Sequence, residues 1–569
     1  MATAKRLYLY LISLTGLVLL IAGAVSLLRL AVNNVGVGPR SSGSSNGDLD
    51  GISFSVALGL VGLALWLIHW AIVERMVRRQ PAMPAVADAT GAAIEAPDPA
   101  AAERRSIVRS LFFALVMWTS LSLAATLGID LAGRAIADAL GAWMKFSVVS
   151  LLALPDDWEV SITVVLVAVW AYHAWIRGRD VRQGPVIMGA AAWIARLYLY
   201  GAALLGVVGV LQALSSLIWT TASQVAQPSL PASGPALLPI TVDVYRSWER
   251  LVIAALVGLA VWGAIWLSHW LYSERLRSGS TEQSVAERPS RVRLAFLMAV
   301  LVWGAATVVQ GAAGGLGQLF EWMAGVPNDS VPVYPLWFLV LVPPLAAVPA
   351  GLAWWWHRRR AFLEASEGPA GVSARRIAGY LVALIGLYAL AAGVYDVLSA
   401  TFERWLAPMT ATYGTLAETM WKFVVAYGSA VTLVGLAFWI WPWLSAQRRR
   451  AATAVERDAE LGSSSRAYYL YVVAGASVLI VAASLVVVLY RYLRAGFGLD
   501  ESALGAEVSG AVAALLVAAV VLAYHALVLR SDKARPAPAA VPGPMPPHAD
   551  SPAAPTESSP GESGPASDS

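Results

Sequence analysis

The sequence predicts an all-α polytopic membrane protein with twelve transmembrane helices arranged as six repeated two-helix hairpins. Three observations predict it. The chain of 569 residues is 58% hydrophobic and only 13% charged, about half the charged share of soluble domains. It contains twelve stretches near the roughly 20 apolar residues that a bilayer-crossing helix needs. One helix-pair pattern returns six times along the chain. The absence of Cys excludes disulfide scaffolds, zinc–thiolate sites, iron–sulfur clusters and thioether-attached haem.

The spans fall at 7–29, 53–73, 108–129, 160–176, 197–219, 250–272, 294–315, 336–356, 377–400, 423–446, 468–490 and 508–529. They are continuous Leu/Val/Ala-rich runs. Barrel strands would instead alternate over about ten residues. The first run follows Lys5 and Arg6 and contains Ala22-Gly23-Ala24, which imitates a signal peptide. Its apolar stretch continues to Leu28 and its pattern recurs mid-chain, so it is read as a span. Of the 40 Lys and Arg residues, 30 fall in the termini and the connections between hairpins; the loops within hairpins hold the other ten, and 17 acidic residues. The positive-inside rule then places both termini in the cytoplasm. With 36 Arg to 4 Lys and abundant Ala and Gly, the composition points to the inner membrane of a GC-rich bacterium. The net charge of +4 is a topology signal and implies no nucleic acid.

The hairpins cover 1–79, 104–185, 186–280, 281–368, 369–450 and 451–530. A linker at 80–103, Ala/Pro-rich, and a Pro/Ala/Ser tail at 531–569 are expected to be disordered and cytoplasmic. The tail is a candidate contact for a protein partner; the other partner is the lipid bilayer. Each hairpin opens on Arg, most clearly in Arg6-Leu-Tyr-Leu-Tyr10 and Arg196-Leu-Tyr-Leu-Tyr200. Arg376 precedes Tyr380 at the same offset, Arg466 opens Ala-Tyr-Tyr-Leu-Tyr471, and Arg109 and Arg293 open degenerate copies with Phe113 and Phe296. Small residues recur seven apart in the first helices: Gly16/Gly23, Thr119/Thr126, Gly206/Ala213, Gly304/Gly311, Gly386/Gly393 and Ser477/Ser484. Two turns place each pair on one face, where small residues let membrane helices approach. The outer stretches Leu316–Met323 and Leu398–Trp405 read as short interfacial helices, with Trp143, Trp322 and Trp405 at headgroup level.

The second helices end alike. Trp66-Leu-Ile-His69-Trp70 matches Trp266-Leu-Ser-His269-Trp270; Trp170 and Trp354 keep the motif with His173 and His357; Trp439-Ile-Trp-Pro442-Trp443 loses the His; Leu522-Ala-Tyr-His525 loses the Trp. Five of six histidines occupy this one position, the sixth being His548. Imidazole can ligate haem or carry protons, so His69, His173, His269, His357 and His525 are the cofactor-binding candidates. An aromatic belt explains them without a cofactor, with Trp66, Trp70, Trp170, Trp266, Trp270, Trp354, Trp439 and Trp443 as membrane-interface anchors. That reading leaves the chain without a cofactor, catalytic residue or metal site, and haem b as the alternative.

The centres of all twelve spans lack charge, unlike the midplane of ion-coupled transporters. Arg29, Asp130, Asp396 and Arg491 lie at outer helix ends, where Asp130 and Asp396 are placed to pair with Arg29 or Arg491; Gln212 and Gln310 are the strongest polar groups further in. Pro343, Pro344 and Pro349 interrupt the eighth span, and Asn328-Asp-Ser330 matches a glycosylation sequon. The Arg-Leu-Tyr-Leu-Tyr opening with its Gly16-containing helix resembles a bacterial family of multi-pass membrane proteins known only as a domain of unknown function, most clearly over hairpins one, three and six. The resemblance implies an integral membrane protein and supplies no site residues. The expected function is a non-catalytic membrane scaffold or sensor; the alternatives are a transporter or channel for an apolar or weakly polar solute and a b-type haem protein.

Overall fold

In lipid every backbone N–H and C=O must be satisfied within the segment, so continuous apolar runs become helices. The computed structural model describes residues 2–34, 45–78, 86–87, 93–94, 99–139, 156–183, 189–226, 248–288, 290–326, 334–365, 370–406, 414–497 and 504–533. The sequon, Trp143, His548 and the tail beyond Lys533 lie outside these residues. The long helices are α1 Ala2–Asn34, α2 Ser45–Arg78, α4 Ile107–Ala139, α5 Asp156–Gln183, α6 Gly189–Ala226, α7 Trp248–Ser278 and α9 Arg291–Met323. They continue with α10 Leu336–Ala346, α11 Val348–Ala365, α12 Ala370–Leu406, α13 Gly414–Ala451, α15 Ser464–Gly496 and α16 Leu504–Lys533. Three short helices, α3 Pro99–Arg104, α8 Glu282–Glu287 and α14 Ala454–Leu461, connect hairpins. All twelve expected spans are helices long and apolar enough to cross a membrane. At 38 residues, α6 is roughly 57 Å long, about twice a hydrocarbon core. Helix ends therefore project beyond the acyl region and can carry charge.

Three sequence expectations change. The linker at 80–103 is not wholly disordered: Val86–Ala87 pairs antiparallel with Ala93–Ile94, and 99–103 belongs to α3. That helix carries Glu103, which is 1% exposed because it closes an ion network. The stretches at 316–323 and 398–405 are not separate interfacial helices but the continuous ends of α9 and α12; no Pro or Gly cap interrupts them, although Trp322 and Trp405 do lie exposed. The outer charges also pair otherwise than expected. Arg29 meets Asp157 at 2.6 Å and Asp130 meets Arg134 at 3.1 Å, since Asp157 and Arg134 are nearer in the fold than the charges first matched. Gln212 and Gln310 face outward.

Each hairpin packs on itself, but the repeating unit is two hairpins. The first helix of each odd hairpin packs on the last helix of the following even one: α1 on α5, α6 on α10 and α11, α12 on α16. Three four-helix units result. They are joined in a row, α4 packing on α6 and α7, and α9 on α12 and α13. The third helix of a unit is thus the junction helix. Half of α4's apolar stretch and 56% of α9's is buried, against 17% for α15, on which no further unit packs among the described residues.

The glycine pairs sit where backbones touch. A Cβ at Gly16 would lie 2.5 Å from Trp66 N, one at Gly23 2.5 Å from Gly59 N, and one at Gly206 2.6 Å from Trp266 N. The counterparts in α9 and α12 are equally tight: Gly304 would meet Ala350 O at 2.6 Å, and Gly393 would meet Gly428 O at 2.5 Å. Ala213 faces Gly258 at ordinary contact distance, and Ser477 and Ser484 are buried. The eighth span breaks between α10 and α11, and the break is packed: a Cβ at Gly311 would lie 2.7 Å from Pro343 O, and Ser215 Oγ donates to Ala346 O at 2.7 Å.

Gly16→Leu and Gly206→Leu are expected to destabilise by about 1–3 kcal/mol through overpacking. Gly475, with open space at its Cβ, is the control: Gly475→Leu should leave the melting temperature in detergent unchanged or slightly raised. Equal melting temperatures for all three variants would show that the first two glycines are not close contacts.

Candidate functional site

An arginine removed from water costs several kcal/mol unless acceptors surround its fork. Among the described residues the three largest fully buried side chains are Arg109, Arg293 and Arg466, exposed 0, 2 and 1%. Each opens the third helix of its unit, and each is surrounded in the same way. The carboxylate ending the fourth helix takes the guanidinium: Asp180 Oδ2 lies 2.5 Å from Arg109 Nη2, Glu364 accepts from Arg293 Nε and Nη2 at 2.8 and 2.7 Å, and Asp532 accepts from Arg466 Nε at 2.7 Å. The tyrosine of the first helix accepts from the same arginine: Tyr10 at 3.1 Å, Tyr200 at 3.5 Å and Tyr380 at 3.3 Å.

Each tyrosine then donates to a glutamate on the short connecting helix. Tyr10 reaches Glu103 at 3.0 Å, Tyr200 reaches Glu287 at 2.7 Å, and Tyr380 reaches Glu460. The opening arginine of the unit pairs with that glutamate: Arg6 with Glu103 at 2.6 Å, Arg196 with Glu287 at 2.6 Å, and Arg376 with Glu460 at 3.0 Å. The second helix adds Glu74 to Arg109 and Glu274 to Arg293. The third unit has Gln447 at that position; there Arg449 turns to Glu460 at 2.8 Å and Arg450 to Asp532 at 3.3 Å. One network therefore ties all four long helices of a unit to its connecting helix. Charge-assisted, partly bidentate bonds of this kind fix geometry as well as energy.

Below each arginine lies a tryptophan. Arg109 sits 5.7 Å from the Trp70 ring, Arg293 4.7 Å from Trp270 and Arg466 5.5 Å from Trp443, within cation–π range. These three tryptophans are only 3, 7 and 2% exposed, so their rings are shelves inside the protein, with no surface left for headgroups. Trp66, Trp170, Trp266, Trp354 and Trp439 are half-buried. The role of Trp443 explains why hairpin five keeps it while losing the histidine.

The five histidines occupy one sequence position but two environments. His173, His357 and His525, from the even hairpins, are buried against Trp70, Trp270 and Trp443 with ring centroids 5.9, 6.3 and 5.9 Å apart. His69 and His269, from the odd hairpins, are half-exposed beside Tyr8 and Tyr198; Pro442 holds the third place in this class. In all five, Nδ1 donates to the carbonyl four residues back, at 2.7–2.8 Å. That leaves Nε2 as an acceptor. The Nε2 atoms of His173 and His357 are buried with no partner among the described residues; that of His525 lies 3.4 Å from the Tyr469 hydroxyl. The structure does not bring the buried histidines together: each belongs to a different unit. Among the described residues no group of three or more His, Asp or Glu is arranged to hold a metal.

The carboxylates are what sequence reasoning missed. Two regular spacings marked them: Glu103, Glu287 and Glu460 each precede the buried arginine by six residues, and Asp180, Glu364 and Asp532 each follow the buried histidine by seven. Glu460 lies beyond the spans. Burial pushes its pKa up, but hydrogen bonds from Arg449 and Tyr380 and the charges of Arg449 and Arg376 outweigh burial and hold it below the ordinary carboxylate range.

Two comparisons with known proteins find nothing: no curated protein and no solved structure matches the chain. The third does. Residues 6–156 and 376–520, more than half of the chain, match a family described as Domain of unknown function (DUF5671), and the chain belongs to that family. The matches open at Arg6 and Arg376, equivalent positions of the first and third units. They cover hairpins one and five with much of two and six, and not hairpin three.

Arg293→Ala is expected to cost about 3 kcal/mol, because it removes the buried partner of Glu274 and Glu364 and leaves both to the half-exposed Arg360, which pairs with them at 2.6 and 2.7 Å. The conservative Arg293→Lys loses the bidentate fork and should fall between the variant and wild type in thermal unfolding; a wild-type melting temperature for Arg293→Ala would remove the network from the stability of the fold. A second expectation concerns acid. With its folded pKa depressed, Glu460 contributes stability that is complete above its ordinary value of 4.5 and is lost as pH falls through the lower folded value. Glu460→Gln should therefore flatten the fall in stability below that pH, measured as melting temperature against pH; an unchanged acid limb would refute the assignment.

Proposed function

We propose that this integral membrane protein is a non-catalytic membrane scaffold of the bacterial inner membrane, with both termini cytoplasmic. The observation that carries the reading is the staple built three times around Arg109, Arg293 and Arg466. Its arginine, carboxylate and tyrosine groups satisfy one another across helices. A transporter cycle needs two arrangements of helices, whereas each staple holds four helices in one. The imidazoles sit singly, one buried per unit and each with Nδ1 committed to backbone, which favours packing over paired haem ligation. The chain on this reading carries no cofactor, and the Pro/Ala/Ser segment after Lys533 is its contact for a protein partner. The orientation follows from the excess of arginine on the staple side.

The Cys-free chain makes the test direct. Spin labels at Val225→Cys and Phe497→Cys, exposed positions at the far ends of α6 and α15, should give one narrow distance distribution in proteoliposomes. That distribution should be unmoved by a proton gradient or membrane potential. Two populations exchanging with the gradient would replace the scaffold with a transporter. A Soret band of bis-imidazole character in the purified protein would replace it with a haem protein. Val225→Cys should react with an impermeant maleimide on intact cells, and Ser278→Cys only after permeabilisation; the opposite pattern would invert the topology.

A further inference from the structure

The two junctions between units each contain a cleft at the arginine-rich end of the bundle. One, of about 600 Å³, lies between α11, α12 and α13; the other, of about 510 Å³, lies between α5, α6 and α7. They are the same place in the repeat: the fourth helix of one unit faces the first two helices of the next. Trp354 and Trp170 occupy matching positions, three residues before His357 and His173, and line the respective clefts. Hairpin six, on whose second helix no further unit packs among the described residues, has Leu522 at this position.

Both clefts change character along the helix axes. At the outer rim of the first, Arg358 and Arg375 stand over the Phe362 ring, 5.0 and 5.5 Å from its centroid. Neither has a carboxylate partner among the described residues, and no carboxylate lines this cleft. Deeper in, Trp354, Phe438 and Val382 make an apolar wall, the two rings 6.2 Å apart. In the second cleft Arg177 and Arg182 are the cations without an ion-pair partner among the described residues, and the Nη1 of Arg177 is buried with no hydrogen-bond partner among them. Its one lining carboxylate, Glu287, is already held by Arg196 and Tyr200. Met117, Trp170 and Leu199 form the apolar part. The lining side chains differ between the clefts, while the order of cation at the rim and hydrocarbon beneath is kept.

We infer that each junction cleft binds one anionic phospholipid, its phosphate between the unpaired arginines and its acyl chains along the apolar wall. A guanidinium without an acceptor beside an opening calls for an anion. Basic pockets between membrane helices at the headgroup level suit anionic lipid. The apolar wall beneath suits acyl chain and not a free ion. The bound lipid fills the junction and completes the contact between neighbouring units.

Native mass spectrometry of the delipidated full-length chain tests this, with phosphatidylglycerol and phosphatidylcholine of the same acyl composition as probes. Wild type should retain two phosphatidylglycerol molecules and bind phosphatidylcholine roughly tenfold more weakly or less. The double variant Arg358→Gln/Arg375→Gln, at exposed positions, should keep the wild-type melting temperature without lipid. It should retain one phosphatidylglycerol, the affinity of the altered site falling on the order of tenfold. Equal retention of the two lipids by wild type overturns the proposal. So does unchanged stoichiometry and affinity in the variant, and so does displacement of phosphatidylglycerol by inorganic phosphate at comparable concentration, which would mark a free-phosphate site. Should the variant fail to fold, the preference of wild type between the two lipids and its response to phosphate decide the matter.

Discussion

A guanidinium that leaves water must meet its acceptors in a fixed plane, and this requirement organises the whole molecule. Arg109, Arg293 and Arg466 are the largest fully buried side chains among the described residues, and the carboxylates and tyrosines that accept from their guanidinium groups come from other helices. Asp180 comes from the fourth helix of the unit, Tyr10 from the first, Glu74 from the second. The geometry is satisfied only when four separate apolar helices hold one mutual rotation and depth. Apolar helices in lipid have little else to set these, because acyl chains are as apolar as leucine. Small residues let the helices approach, and the ion network determines which approach is made. The network lies at the helix ends, where charge costs less than at the bilayer centre.

The same constraint explains why one motif position splits into two environments. In a unit of two hairpins the second and fourth helices bring different residues of the motif to the central arginine. The motif at the end of the second helix supplies the Trp that underlies that arginine; the motif at the end of the fourth supplies the His that packs on the Trp. Sequence similarity between the two therefore hides a division of labour. Pro442 is acceptable because it falls in the half-exposed class with His69 and His269, while Trp443 two helical turns from Arg450 stays beneath Arg466. The second helix of that hairpin also lacks the carboxylate of Glu74 and Glu274, and the arginines beside Gln447 turn to Glu460 and Asp532 instead.

The helices were legible because their signal is local. Twenty apolar residues without charge have one solution in a bilayer, and the seven-residue spacing of Gly16 and Gly23 or Gly386 and Gly393 marks a packing face by helical geometry alone. The site was only half legible. The arginines were visible, but as a topology signal, since a cation at the membrane boundary obeys the positive-inside rule whether or not it is paired. Their acceptors lie 71 residues away in Asp180 and Glu364 and 66 away in Asp532, a distance at which no helical periodicity operates. What remained readable was the fixed interval from Glu103 to Arg109, Glu287 to Arg293 and Glu460 to Arg466. Only a comparison with a period of two hairpins, rather than one, aligns these three pairs.

Among the described residues no capping element packs on the third unit. In a soluble solenoid the terminal repeat needs a polar outer face, because its unused interface would otherwise meet water. Here the junction helix of the last unit, α15, presents Leu479, Val486 and Leu489 outward at 72, 66 and 60% exposure, and Gly475 on the same helix has open space where other glycines meet backbone. A bilayer covers such a face as well as another helix would, so the array can stop at any unit with no change of surface composition. The staple side differs. There the end of the array must still satisfy its charges, and the third network does so within itself, drawing Arg449 and Arg450 from its own second helix onto Glu460 and Asp532. Apolar termination is left to the lipid, and ionic termination is built into the protein.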